Sequence, residues 1–329
     1  MRVSVILSTY DRAETLRETL KSICEMTTPP SLQWELLVID NGSTDHTRQV
    51  CDSFLGELPI RYLFDGPPGK CRALNNGIQS ARYELIVFTD DDVNVDQHWL
   101  PNYAAAADRH PDVGLFVGRV LPKWEAPPPK WIEDNLNTMP FLCHLDRGDL
   151  EGVLPREDPA RPVGANMAVR TVCFQQGVSY PESIGATGRT HTVSAHVGGE
   201  EGEIARQVVE RGWYCAYTPT AVVYHRHTRD RMTERYLRRW AMGHEIGDVR
   251  LGRATQKNPW FGVPAWYWRQ FAINSTRYVL TRWTRNSDVW LPAEIRMASA
   301  WGAICEFRRL QKTNSSRRKV TSVPTCLCW

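Results

Sequence analysis

Residues 3–8, VSVILS, form an apolar run of strand length. The next segment, RAETLRETLKSIC, changes period: Leu16, Leu20 and Ile23 recur at the spacing of one helix face. The alternation then repeats. WELLVIDNGS reads as a strand ending in Asp40 and a turn, TDHTRQVCDSFL as a helix, and IRYLF as a third strand. GPPGKCRALNNGIQSA is a Gly/Pro loop entering a third helix, and YELIVFTDDDV is a fourth strand. Strands alternating with helices predict βαβ units and a mainly parallel sheet with helices on both faces. In such sheets the ligand sits beyond the carboxyl ends of the strands. Ser8, Thr9, Asp40 and the cluster that begins at Asp90 all fall at strand C-termini, so one sheet edge gathers the chemistry.

Further along, GLFVGRVLP reads as a strand, EAPPPKW interrupts regular structure, and residues 125–162 read as irregular with room for short helices. GANMAVR and YCAYTPTAVVYHRH resume strand patterns. Between them GGEEGEIARQVVERG is a helix with acids in its first turn and Gly212 at its end, as helix polarity prefers. From Met232 the pattern is helical with Pro and Trp interruptions. The organisation expected is therefore an α/β domain over 1–228, a basic, Trp-rich helical region over 229–311, and a tail without regular structure over 312–329.

Composition sharpens this picture in two places. The chain of 329 residues is 42% hydrophobic and 23% charged, as a soluble globular protein is, and its net charge of +3 names no partner. From Arg226 to the end, however, 20 Lys/Arg stand against 7 Asp/Glu, and most of the 13 Trp lie there too. Basic, Trp-rich helices can lie in the headgroup region of an anionic membrane, or pack on a catalytic domain with their Arg faces solvated. Nucleic acid is not an expected partner, since no nucleic-acid motif is present. The nine cysteines form no zinc pattern, and the final CLCW reads as part of the tail. MRVSVILSTY lacks a signal peptide's cationic and apolar regions, and no apolar run reaches membrane-spanning length. A reducing cytoplasm is the expected setting, with free thiols and with peripheral contact to the inner face of the membrane as the reading that adds the basic end.

ELIVFTDDDV poses the chemical question, because three adjacent carboxylates at the tip of a buried strand repel one another and resist desolvation. Side chains alternate faces along a strand, so Asp90 and Asp92 share a side and Asp91 faces away. Two carboxylates so placed can hold a hard divalent cation, Mg²⁺ or Mn²⁺, that also binds phosphate oxygens. The bland alternative is a solvated acidic turn.

The ordered set VILSTYDRAETLRETLKSI, WELLVIDNGSTDHT, GKCRALNNGI, ELIVFTDDDV, GANMAVR, GGEEGEIARQVVERG and PTAVVYHRH resembles the family-2 glycosyltransferases of GT-A fold, over residues 3 to about 227. The resemblance implies a nucleotide-diphosphate sugar donor and a divalent cation. It places Thr9 and Tyr10 beside the nucleoside and Asp40 on the base. Asp90, with Asp91 adjacent, meets the ribose or metal, and Asp92 meets the metal. Lys70 and Arg72 are expected near the diphosphate with Asn75, although Leu74 stands where the commoner form has Arg. Glu201, where Asp is usual, matches the catalytic base, with Glu200 in reserve. His225 rather than His227 matches the late His that approaches the metal. Asn166, Met167 and Trp124 would border the acceptor, a glycan or lipid-linked molecule; Trp124 and Trp131 equally suit packing. The implied reaction is an inverting single displacement. Rival readings are a nucleotidyltransferase acting on a sugar phosphate, which leaves the late Glu-Glu and His segments unexplained, and a non-catalytic sugar-binding relative.

Overall fold

The computed structural model describes residues 1–139, 142–157, 161–186, 196–254, 259–284 and 286–320, the last seven of these as backbone only. In chain order the first elements are β1 (Val3–Thr9), α1 (Ala13–Cys24), β2 (Trp34–Asp40), α2 (Thr47–Asp52), β3 (Ile60–Phe64), α3 (Lys70–Ser80), β4 (Leu85–Asp90) and β5 (Val93–Val95). They are followed by α4 (Trp99–Arg109), β6 (Val113–Trp124), α5 (Lys130–Glu133), β7 (Gly152–Leu154), β8 (Met167–Arg170), α6 (Thr171–Gln175) and β9 (Gly185–Ala186). Then come β10 (His196–Val197), α7 (Glu200–Glu210), β11 (Tyr214–His227), α8 (Glu234–Arg250), β12 (Pro259–Trp260), β13 (Val263–Pro264), α9 (Ala265–Thr281) and α10 (Ser287–Val320). The segment read as irregular thus holds α5, a 3₁₀ turn at Leu136–Thr138 and β7. The tail expected from residue 312 is helical as far as Val320, and CLCW lies outside the described residues.

Two compact units are present. The first runs from Met1 to Thr233 without His196–Gly198; those three residues group with the chain from Glu234 onward.

The first unit is built on a mixed sheet in the order β3-β2-β1-β4-β8-β6-β11-β5, with β7 added to β11. β1 to β4 are parallel, as their apolar runs and crossover helices require. β8 is inserted antiparallel between β4 and β6. Register lines up the strand ends: Thr9 is opposite Asp40, and Ser8 is opposite Asp90. α1 buries Leu16, Leu20 and Ile23 on the sheet, and α3 approaches so closely that a Cβ on Gly77 would lie 3.1 Å from Ile6 Cγ2. β11 shifts register between Thr218 and Val222. Its first half pairs with β7 and its second half with β5, which sets His225 opposite Val93, the residue after Asp92.

Asn166 and Met167 depart from the acceptor role expected of them. Both are fully buried. The Asn166 side-chain oxygen accepts from Trp99 Nε1 (2.7 Å) and the Tyr103 hydroxyl (2.8 Å), and its amide nitrogen donates to the carbonyls of Arg119 and Ala221 (2.8 Å each). This amide joins α4, β6 and β11 and has no valence left for a substrate.

The second unit packs α8 and α9 against α10, around Val249, Val263, Tyr267, Ile304 and Phe307. A Cβ on Gly302 would lie 2.5 Å from the Met242 carbonyl oxygen, which is how α8 and α10 come into contact. Buried carboxylates on α10 are paired: Glu306 with Arg250 (2.8 Å) and Glu294 with Arg238 (2.5 Å). No described helix is long and apolar enough to cross a membrane.

The role of Asn166 is testable by urea unfolding. Asn166→Ala orphans two buried donors and two carbonyls. An unsatisfied buried polar group costs about 1–3 kcal/mol, so a loss of about 3 kcal/mol or more is expected. A loss below about 1 kcal/mol contradicts the pinning role.

Candidate active site

Strand β4 ends at Asp90, and the chain turns through Asp91 and Asp92 into β5. The turn separates the three carboxylates. Asp91 points back to β1 and α1, accepting from Thr9 Oγ1 at 2.8 Å and pairing with Arg12 Nη1 at 2.5 Å. Asp90 and Asp92 turn to the other side and meet His225; ligand atoms of the three lie within 4.8 Å of one another. Arg226 closes the back of the turn, its backbone N–H donating to the Asp92 carbonyl (2.9 Å) and its guanidinium to the Asp91 carbonyl (3.1 Å).

Cations answer the repulsion. Asp92 meets Arg231 at 2.7 Å and Arg12 at 3.2 Å. Burial opposes ionisation of Asp92, but His225, Arg231 and Arg12 outweigh it and hold the carboxyl well below the usual range. Burial raises Asp91, with Arg12 opposing. On the His225 ring, burial wins over the attraction of Asp92 and favours the neutral imidazole, the form that ligates metals. Its Nε2 lies 3.3 Å from Asp92 Oδ1, and its Nδ1 is buried without a hydrogen-bond partner among the described residues. Two carboxylates and a neutral imidazole, one ring nitrogen unclaimed, fit a divalent cation of the Mg²⁺ or Mn²⁺ kind.

His227 does not reach this group. Its ring stacks between His225 (4.8 Å) and Trp124 (4.9 Å), and burial pushes its pKa down to about 3. Trp124 therefore packs on the histidine ladder, the alternative its sequence context left open.

Lys70, at the start of α3, links the metal group to α7. Its Nζ is 3.4 Å from Asp90, 3.8 Å from Glu200 and 3.7 Å from Glu201. Burial and neighbouring Glu200 push Glu201 up to about 7, with Lys70 opposing. The two glutamates also open α7, where helix polarity favours acids, after Gly199 at φ 102°. Gly164 makes room for the pair: a Cβ there would lie 2.4 Å from Glu201 Oε1.

Other expected site residues are occupied elsewhere. Arg72 donates to the Asp65 carboxylate (3.1 Å) and to the Pro67 carbonyl, clasping the loop before α3 rather than reaching Asp90. Asn75 exchanges hydrogen bonds with the backbone of Tyr180 (2.9 and 3.0 Å). Asp40 caps its own turn through the Ser43 N–H (2.7 Å) and accepts from the Tyr62 hydroxyl. Tyr10 is half-buried just past the end of β1. Sequence reading passed over Arg12, Arg231 and Gly164. Arg12 lies two residues beyond Tyr10 and had a local signal; Arg231 is far in sequence from Asp92 and had none.

Residues 4–156 match the family described as Glycosyl transferase family 2. A glucosyl-dolichyl phosphate glucuronosyltransferase of Haloferax volcanii is 25% identical over 201 residues, covering 60% of this chain and 61% of that protein. The chain thus spans about three fifths of that relative's length. The mannosyltransferase PcManGT from Pyrobaculum calidifontis, solved with GDP-Man and Mn²⁺, superposes with a TM-score of 0.58 at 18% identity, over 91% of this chain and 85% of that one. Residues 1–349 of S. aureus TarS, solved with UDP-GlcNAc, give 0.53 at 13% identity, over 97% and 92%.

A metal-binding test needs no turnover. Mn²⁺ titration of the full chain, read by paramagnetic relaxation, is expected to show one saturable site that His225→Ala weakens by about tenfold or more. Unchanged affinity in that variant removes His225 from the set.

The matched stretch, just under half of the chain, its motifs in order and the GT-A fold make this chain similar to the glycosyl transferases of family 2.

Proposed function

We propose that the protein is a metal-dependent inverting glycosyltransferase, moving a sugar from a nucleotide-diphosphate donor to an acceptor hydroxyl. The observation that carries this reading is the position of Lys70, between the Asp90–Asp92–His225 group and the Glu200–Glu201 pair. A leaving group that needs positive charge and an attacking group that needs a base can be served a few ångströms apart. A divalent cation on Asp90, Asp92 and His225 would neutralise charge on the departing diphosphate. Lys70 adds a cation on the same side. Glu201 takes the proton of the acceptor hydroxyl as its oxygen attacks the anomeric carbon. The bond from that carbon to the diphosphate oxygen breaks, nucleoside diphosphate leaves, and one displacement inverts the configuration without an enzyme nucleophile. Tyr10 borders the nucleoside at the aligned strand ends, while Thr9 and Asp40 support that edge by holding Asp91 and the turn after β2. The GDP-Man and UDP-GlcNAc held by the two solved neighbours support the donor class, and the Mn²⁺ of one supports the cation.

A nucleotidyltransferase has no use for a second acidic pair with a carboxyl held near neutrality. A non-catalytic relative would use the metal group to hold a nucleotide sugar but has no need of the Glu200–Glu201 pair.

The acceptor reading rests on the second unit. Of fourteen exposed large hydrophobic residues described, eight lie in it. Phe261 (74% exposed) tips the β12–β13 hairpin beside Trp260, Ile273 and Leu280 follow one stripe of α9 with Arg269 and Arg277, and Trp283 (88%) lies just past the end of that helix. α9 has no acidic residue. An apolar, aromatic and cationic face suits the headgroup layer of an anionic membrane and hence a lipid-linked acceptor. The dolichyl phosphate in the Haloferax relative's name supports the same direction.

Three outcomes are expected. Asp92→Asn abolishes metal-dependent release of nucleoside diphosphate at limiting Mn²⁺ while the fold persists; normal release there removes the metal assignment. Glu201→Gln keeps donor and metal affinity but lowers transfer by about 10²–10⁴-fold, and Glu200→Gln is milder. A dead Glu200 variant beside an active Glu201 variant moves the base by one residue, and two active variants contradict the base. Because Glu201 must be ionised to accept a proton, transfer should rise with pH through about 7, and this limb should vanish in Glu201→Gln.

Vesicle co-sedimentation tests the membrane face. Binding should need anionic lipid, weaken with salt and fall in Phe261→Ser/Trp283→Ser. Equal binding to neutral vesicles, or none to either, contradicts it.

A further inference from the structure

The second unit contains a cleft of about 380 Å³ lined by Glu245 of α8, by Trp266, Tyr267 and Gln270 of α9, and by Arg296 and Ser299 of α10. Its volume is at the lower end of the range for small-ligand clefts. The floor is rigid. Tyr267 is 2% exposed, its ring packs on Phe307 at 6.0 Å and on Trp266 at 4.2 Å, and its hydroxyl donates to Glu245 Oε1 at 2.6 Å. Among the described residues nothing else bonds to the Glu245 carboxylate, and Arg296 has no carboxylate partner. Glu245 thus ties α8 to α9 through this one bond, which leaves its second oxygen open among the described residues.

The lining states what would fit. Trp266 is 44% exposed and offers an aromatic surface to an apolar ring face. Glu245 offers an acceptor already oriented by Tyr267, Arg296 and Gln270 offer donors, and Ser299, whose hydroxyl donates to the Ala241 carbonyl (3.3 Å), offers an acceptor. A hydrocarbon chain would leave these polar groups unpaired, and a phosphate would meet the Glu245 carboxylate. A pyranose satisfies both halves: its C–H face stacks on the indole, and its vicinal hydroxyls donate to a carboxylate and accept from a guanidinium.

We propose that this cleft is a carbohydrate-binding site separate from the donor site, taking a neutral hexose unit of the acceptor glycan. Its description as an acceptor site rests on the transferase reading; its binding of sugar does not.

The test uses the full chain and three probes, namely short β-glucan, chito- and manno-oligosaccharides, followed by saturation-transfer NMR and calorimetry. At least one should bind saturably. Glu245→Gln and Trp266→Ala should each weaken it by about tenfold or more, with circular dichroism unchanged, and saturating UDP or GDP with Mn²⁺ should not displace it. Absence of binding by all three probes, binding indifferent to both substitutions, or displacement by nucleotide overturns the proposal. Retained, Glu245-dependent glycan binding in a protein that transfers no sugar refutes the transferase reading alone. Transfer without such binding refutes the cleft alone.

Discussion

Five carboxylates crowd one sheet edge, and the arrangement of this unit follows from how they are neutralised. Asp90, Asp91 and Asp92 come from the end of β4, and Glu200 and Glu201 from the start of α7. Among the described residues Arg12, Arg231 and Lys70 form ion pairs with them. Counting Arg226 behind the turn, four positive groups meet five carboxylates, of which Glu201 is drawn toward neutrality, so the sum is close to balanced. The distribution matters as much as the sum. Arg12 takes up Asp91 and leans on Asp92, whereas Lys70 stands between two acidic sets.

Backbone topology delivers these groups. Parallel register aligns the ends of β1, β2 and β4, so Thr9, Asp40 and Asp90 arrive together. Along the side away from β6, β11 pairs first with β7 and then with β5, its register shifting in between, and this brings His225 beside Asp92. Asn166 locks this geometry from below, tying α4 to β6 and β11 through four hydrogen bonds. A motif that borders the site in sequence thus acts as its foundation.

Much of this was legible in the chain. Alternating apolar periods gave β1 to β4 and their helices, and period-two alternation separated Asp91 from Asp90 and Asp92. Polarity at GGEEGE located the start of α7. What stayed hidden depended on long-range packing. Nothing local marks Asn166 as fully bonded, since its partners lie on three other elements. Arg72 and Asn75 carry groups suited to a diphosphate, yet their nearest partners are the Asp65 loop and the Tyr180 backbone. Arg231 meets Asp92 only because β11 returns to β5. Gly164 carries no signal of its own in the sequence, and only the fold shows Glu201 filling the space its missing side chain leaves.

The central claim is that Asp90, Asp92 and His225 serve a departing diphosphate while Glu201 serves an arriving hydroxyl. It is tested most directly by a panel of nucleotide-diphosphate sugars, with Mn²⁺ or Mg²⁺ and with simple glycoside acceptors, the products being read by mass spectrometry and anomeric NMR. The account predicts free nucleoside diphosphate and a glycoside of inverted configuration with at least one donor, both lost on chelation. A product that retains nucleotide, retention of anomeric configuration, or turnover indifferent to chelation contradicts it.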